Sequence, residues 1–198
     1  MIDIIFMGGM VVFSISSLYF FFNRHKPEGL NTAFLVSFVT IASYVLMWDG
    51  FFAVESPAGQ PIFWSRWLFY VVSCSLLMLE IGRAKGITST GKVAELVFLN
   101  TIVMVTGTVS AVTSGWTKWL FFAISAIAYL ILIIPLLRVR DGDSNWIDKY
   151  ILLGWSGFPV VFFLAPTGIG LFGSAVAMGL YLLLDIYTKI AFNLQLKA

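Results

Sequence analysis

Four ionisable side chains, Arg66, Glu80, Asp185 and Lys189, fall inside long apolar stretches of this 198-residue sequence. A charge in such a setting is costly, which makes each a functional candidate by default. Asp185 and Lys189 are four residues apart, so on a helix they share one face about one turn apart. Two chemistries fit that spacing. One is an ion pair that lets two costly residues share an apolar interior. The other is a lysine that forms an imine with an aldehyde, beside a carboxylate that holds the resulting cation. Desolvation helps a lysine lose its proton, which imine formation needs. Spacing alone leaves both open. Composition removes several other chemistries. His25 is the single histidine and Cys74 the single cysteine, so there is no His-based metal centre, no Ser-His-Asp catalysis, no cysteine cluster and no intrachain disulfide.

The elements that position these residues follow from hydropathy. The sequence is 60% hydrophobic and 11% charged, whereas a soluble domain carries about 25% charged residues. It reads as an integral membrane protein. A helix needs about 20 apolar residues to cross a bilayer, and seven stretches qualify: 4–22, 32–52, 62–81, 93–113, 119–137, 146–165 and 171–194. Short loops between them carry turn signals, among them Pro27-Glu28-Gly29, Pro57-Ala58-Gly59, 86–91, Ser114-Gly115, Asp141-Gly142-Asp143 and Pro166-Thr167-Gly168. The expectation is an all-α, seven-transmembrane-helix bundle, a single domain over 1–198. The first residues lack a basic region and a small-residue cleavage site, so no removable signal peptide is expected. The scattered Lys and Arg residues offer no patch for nucleic acid.

Orientation follows from where the cations fall. Arg24 and Lys26 follow the first stretch, Arg83, Lys85 and Lys92 the third, Arg138, Arg140 and Lys149 the fifth, and Lys197 lies in the tail. The other side keeps Lys118, with Arg66 near the end of the third stretch. The positive-inside tendency then puts the N-terminus extracellular and the C-terminus cytoplasmic in a multi-pass protein of the cell membrane. Trp48, Trp64, Trp116, Trp119 and Trp146 lie near stretch ends, as interfacial anchors do. Asp49 and Glu95 fall near helix ends and read as solvated. Asp148 sits at a helix start, where an acid suits the N-terminus, and His25 reads as a wet loop residue.

Within the sixth stretch Trp155, Phe158 and Phe162 recur at three and four residues beside Pro159. Such a stripe is more often ordinary packing than a cofactor wall. Its surroundings change that reading. Trp155-Ser156-Gly157-Phe158-Pro159-Val160-Val161-Phe162 resembles the sixth-helix retinal pocket of microbial rhodopsins. Pro61-Ile62-Phe63-Trp64-Ser65-Arg66 resembles the third-helix entry of that family, and Leu184-Asp185-Ile186-Tyr187-Thr188-Lys189 its retinal-attachment segment. Order, spacing and helix number agree, and the resemblance covers the whole chain. It implies all-trans retinal bound covalently to Lys189, with Asp185 as counterion to the protonated Schiff base. The implied pocket walls are Tyr70 and Cys74 on the third helix, Gly107 on the fourth, Ser125 and Tyr129 on the fifth, and Trp155, Phe158, Pro159 and Phe162 on the sixth. Gly107 also fits plain helix–helix contact, where small residues are enriched.

Counting from Arg66 gives Phe69, Ser73 and Glu80 at the three positions that distinguish pump types in this family. The first is a carboxylate acceptor in outward proton pumps, and Phe69 can accept nothing. Glu80 lies about 16 Å from Phe69 along the helix, toward the cytoplasm. It reads either as a carboxylate snorkelling to the membrane edge near Arg83 or as the polar element that draws the Schiff-base proton inward. Ser73 hydrogen-bonds near the Schiff base or back-bonds to its own helix, and Cys74 tunes colour or is an inert buried thiol. The Phe-Ser-Glu triplet, with Cys74 after Ser73, resembles the schizorhodopsins and Antarctic rhodopsins, a family of light-driven inward proton pumps. That resemblance implies inward proton transport and a homo-trimer. The rivals are a retinal photosensor without net transport and a protein in which Asp185 and Lys189 are only an ion pair. Phe69 in place of a hydroxyl speaks against a chloride pump.

Overall fold

A computed structural model describes residues 1–23, 30–139 and 145–196. In lipid a lone apolar segment satisfies its backbone groups only as a helix, and seven helices form among the described residues. α1 (Ile2–Phe22), α2 (Leu30–Trp48), α3 (Ser65–Ala84), α4 (Thr90–Val112) and α5 (Gly115–Arg138) each pack on the next. α6 runs through Asn145–Tyr150, a π-wound turn at Ile151–Trp155, and Ser156–Leu164. α7 runs through Ser174–Asp185, a second π-wound turn at Ile186–Ala191, and Phe192–Gln195. α7 lies against α1 and α6, and its π turn against α2, which closes the ring. Large side chains join α5 to α6: Phe122 stacks on Phe162 at 5.6 Å and the Tyr129 and Ser156 hydroxyls meet at 2.8 Å. Among the described residues six helices are long and apolar enough to span a membrane, and α2 adds a shorter apolar helix over Thr32–Trp48.

The outside of the bundle is apolar, with Leu153, Ile127 and Val160 exposed, while Arg66, Asp185 and Lys189 are fully buried. That is the distribution lipid selects, because the bilayer solvates the apolar exterior and cannot solvate the charges.

The segment between α2 and α3 corrects the expected boundaries. The second helix ends at Trp48 rather than 52, and the third starts at Ser65 rather than 62. Gly50 and Phe52 take left-handed φ values of 75° and 59°, which stop the helix. The chain then forms a hairpin of β1 (Ala53–Glu55) and antiparallel β2 (Pro61–Phe63), with Val54 opposite Ile62. Ile62 and Phe63 are buried, and Phe63 meets Phe6 edge-on at 4.9 Å. Their hydropathy therefore serves a plug over the bundle end rather than a helix turn. Pro57-Ala58-Gly59 is the hairpin turn, closed by Gly59 N–H donating to the Ser56 carbonyl at 2.9 Å. Pro27-Glu28-Gly29, Asp141-Gly142-Asp143, Arg24, His25, Lys26, Arg140 and Lys197 lie outside the described residues.

Candidate functional site

The site grows from the middle of α7. Asp185 ends the regular part of that helix and Lys189 sits in the π-wound turn that follows. Both are fully buried, with Lys189 Nζ 2.8 Å from Asp185 Oδ1 in a contact that lacks hydrogen-bond alignment. Three further groups converge on the same carboxylate. Tyr70 OH donates to Oδ1 at 2.8 Å, while Tyr44 OH and Arg66 Nη1 donate to Oδ2 at 2.9 Å each. Arg66 Nη1 also donates to the Tyr70 hydroxyl at 3.0 Å, and the guanidinium lies over the Tyr181 ring at 4.9 Å. A buried carboxylate needs this density of donors to remain charged away from water. The arrangement sets the Asp185 carboxylate between Arg66 and Lys189, with both of its oxygens accepting hydrogen bonds.

Lys189 Nζ rests 4.1 Å from the Tyr70 ring centroid, and Tyr70 forms part of the wall of an apolar cavity. Every wall residue expected from sequence borders it: Tyr70, Cys74, Gly107, Ser125, Tyr129, Trp155, Phe158, Pro159 and Phe162. Helix-specific details place them. Pro159 has no N–H to offer the carbonyl one turn back, and the turn preceding Ser156 is π-wound. Trp155 Nε1 donates to Tyr150 OH at 3.0 Å, which donates to the Thr188 carbonyl at 2.7 Å. That chain ties the α6 wall to the turn that carries Lys189. Phe158 meets Tyr70 edge-on at 5.4 Å and stacks on Tyr181 at 6.1 Å. At Gly107 an added Cβ would meet only Ser125 Oγ at 3.7 Å and Trp67 at 4.0 Å, so an Ala there fits against its neighbours. Ser125 Oγ donates to the Val103 carbonyl at 2.9 Å, a contact between α5 and α4.

The three pump-type positions separate along α3. Ser73 Oγ donates to the Phe69 carbonyl at 3.1 Å, so the back-bonded reading is the one the structure adopts. Glu80 lies near the far end of α3, only 3% exposed, with Oε1 3.0 Å from Arg83 Nη1. The carboxylate itself does not reach the surface, whereas Arg83 is mostly exposed. Glu80 and Asp185 are the buried acidic side chains among the described residues. Asp49 and Glu95 are exposed, as expected. Lys85 stands in the turn after α3, as expected, yet it is buried: it donates to the Val139 carbonyl at 3.0 Å and pairs with Asp148, so Asp148 does more than face a helix start.

Sequence reasoning missed Tyr44, Trp67 and Phe122. Tyr44 is a hydroxyl in the middle of an apolar run, a signal available in the sequence that a search for formal charges passes over. Its ring lies so close to α1 that a Cβ on Gly9 would stand 2.6 Å from it. Trp67 and Phe122 border the cavity and pack on Phe162.

A buried lysine with no aligned hydrogen bond, a facing carboxylate and an adjoining apolar cavity lined by aromatic side chains fit a long apolar aldehyde held as an imine. Comparison with known proteins agrees. The family model described as bacteriorhodopsin-like protein matches residues 1–197. Bacteriorhodopsin-I of Haloquadratum walsbyi is 27% identical over 175 residues, covering 80% of this chain and 68% of that one. Sensory rhodopsin-2 of Natronomonas pharaonis is 26% identical over 169 residues, covering 80% of this chain and 70% of the relative. Among solved structures, schizorhodopsin 4 is 37% identical with a TM-score of 0.93 over 98% of both chains.

Proposed function

The chain belongs to the bacteriorhodopsin-like family, light-driven membrane proteins that bind retinal through a lysine and are not enzymes, and from that premise we propose that it pumps protons inward across the cell membrane. Lys189 is the attachment residue and Asp185 its counterion in this reading. Retinal, when bound as an imine to Lys189, supplies light absorption and a light-driven change in the direction that the Nζ–H bond points.

The single observation that carries the direction is the contrast between the two buried carboxylates. Asp185 has both oxygens taken by Tyr44, Arg66, Tyr70 and Lys189, so accepting a proton would uncover two buried cations. Phe69 offers no acceptor beside it. Glu80 pairs through Oε1 with Arg83, its hydrogen-bond partner among the described residues, and lies toward the end of α3 where the cations cluster. The proton on Lys189 Nζ therefore leaves toward Glu80, the cytoplasmic side when the N-terminus is extracellular. Reprotonation of Nζ comes from the opposite side, where Arg66, Tyr44 and Tyr70 keep Asp185 charged. The resemblance of Phe69, Ser73 and Glu80 to the inward-pumping schizorhodopsins supports the same direction, and trimer assembly belongs to that reading.

The test is the pH of an unbuffered suspension of cells expressing the protein with all-trans retinal, in light and dark. Alkalinisation that a protonophore abolishes is the expected result. Acidification means an outward pump, and coloured cells without a pH change mean a sensor.

A further inference from the structure

One buried polar side chain on α7 has no part in the site described above. Asn193 lies one turn beyond Lys189 and is 1% exposed. Its Nδ2 donates to the Lys189 carbonyl at 2.7 Å, a bond open to it because the π-wound turn displaces the regular ladder. A carbonyl can only accept, so this bond fixes which end of the amide is nitrogen. Oδ1 has no hydrogen-bond partner among the described residues. Buried acceptors are nearly always satisfied, by protein or by ordered water.

Register places Asn193 at a level between Lys189 and Glu80. Tyr70 and Asp185 touch at 2.8 Å and set a common level on α3 and α7, which run in the same direction through the bundle. From that level Asn193 is about 12 Å along α7 and Glu80 about 15 Å along α3. Between Cys74 and Glu80 the buried residues of α3 are Leu77 and Met78, which carry no proton. Resting on the inward reading above, we propose that Asn193 Oδ1 holds a water molecule that carries the proton from Lys189 past this apolar stretch toward Glu80. As the N–H bond at Nζ breaks, an O–H bond forms on water, and the excess proton passes on toward the Glu80 carboxylate. Asn193 is a positioning residue, because it acts through the water.

Two substitutions separate this role from a purely structural one. Asn193→Asp keeps an acceptor and loses the donor to the Lys189 carbonyl, whereas Asn193→Leu loses both. Infrared spectra of the dark protein in D2O and D2 18O report bound water as isotope-sensitive O–D bands, and flash-induced pH-dye signals in proteoliposomes report transport. The expected result is one water band lost in Asn193→Leu and retained in Asn193→Asp. Inward transport slows about tenfold in the first and stays near the wild-type rate in the second. Equal slowing of both variants would assign Asn193 to holding the π turn, and wild-type rates and bands in both would remove it from the route. Asn193→Val replaces the Leu variant if that one does not form pigment. Outward transport by the wild type would count against the inward reading, whereas inward transport with unaffected variants counts against Asn193 alone.

Discussion

Replacing Glu80 with Gln removes one buried charge while keeping size and shape. Glu80 lies seven residues beyond Ser73, which puts it about 10.5 Å farther along α3. At that separation, with an effective dielectric constant near 20, a unit charge attracts a departing proton by roughly 1.6 kcal/mol. Lost from the barrier to inward release, that corresponds to roughly fifteenfold slower transport. Arg83, 3.0 Å from Glu80 but mostly exposed, trims this figure little because solvent screens it. The visible band, which the proposed counterion role ties to Asp185 at 2.8 Å from Nζ, is expected to stay in place. Initial rates of light-driven alkalinisation in proteoliposomes, beside absorption spectra, give both quantities. An E80Q variant that pumps at the wild-type rate would refute the reasoning, and so would a displaced visible band.

Four further substitutions probe the framework. Asp185→Asn leaves Arg66 and Lys189 buried without their shared anion, a change worth about 3–5 kcal/mol; low pigment yield and early thermal bleaching are expected, and wild-type bleaching would contradict the counterion geometry. Gly9→Ala drives a Cβ to 2.6 Å from the Tyr44 ring, whereas Gly8→Ala meets nothing within 4 Å. The first is expected to lose about 1–3 kcal/mol in thermal stability and the second to lose little, so equal melting temperatures would contradict the close approach. Asp148→Asn strips the charge partner from a lysine side chain that is 0% exposed; a loss of about 2 kcal/mol with an unchanged visible band is expected, and bleaching that matches wild type would mean the pair is not formed.

The seven spans were legible because each needs one thing, about twenty apolar residues, and the sequence states that locally. Asp185 and Lys189 were legible for the same reason, since a charge in such a run has few readings and their spacing sets a shared face. The hairpin was not, because Ile62 and Phe63 are apolar whether they start a helix or plug its end, and only packing against Phe6 decides. Nor were the π-wound turns, which leave no mark in residue type beyond Pro159 and which set the partners of the Thr188 and Lys189 carbonyls. Tyr44, Gly9 and the Lys85–Asp148 pair depend on contacts between helices distant in sequence. Their meaning is a matter of tertiary neighbours, and a single sequence without those neighbours does not carry it.

The direction of transport is tested most directly by the photocurrent of a voltage-clamped cell at zero membrane potential and equal pH on both sides. With no gradient to follow, a channel or a sensor passes no sustained current. Inward pumping predicts a steady inward current under continuous light that is unchanged when chloride and sodium are replaced. A steady outward current, or none from a cell that carries the pigment, would contradict it.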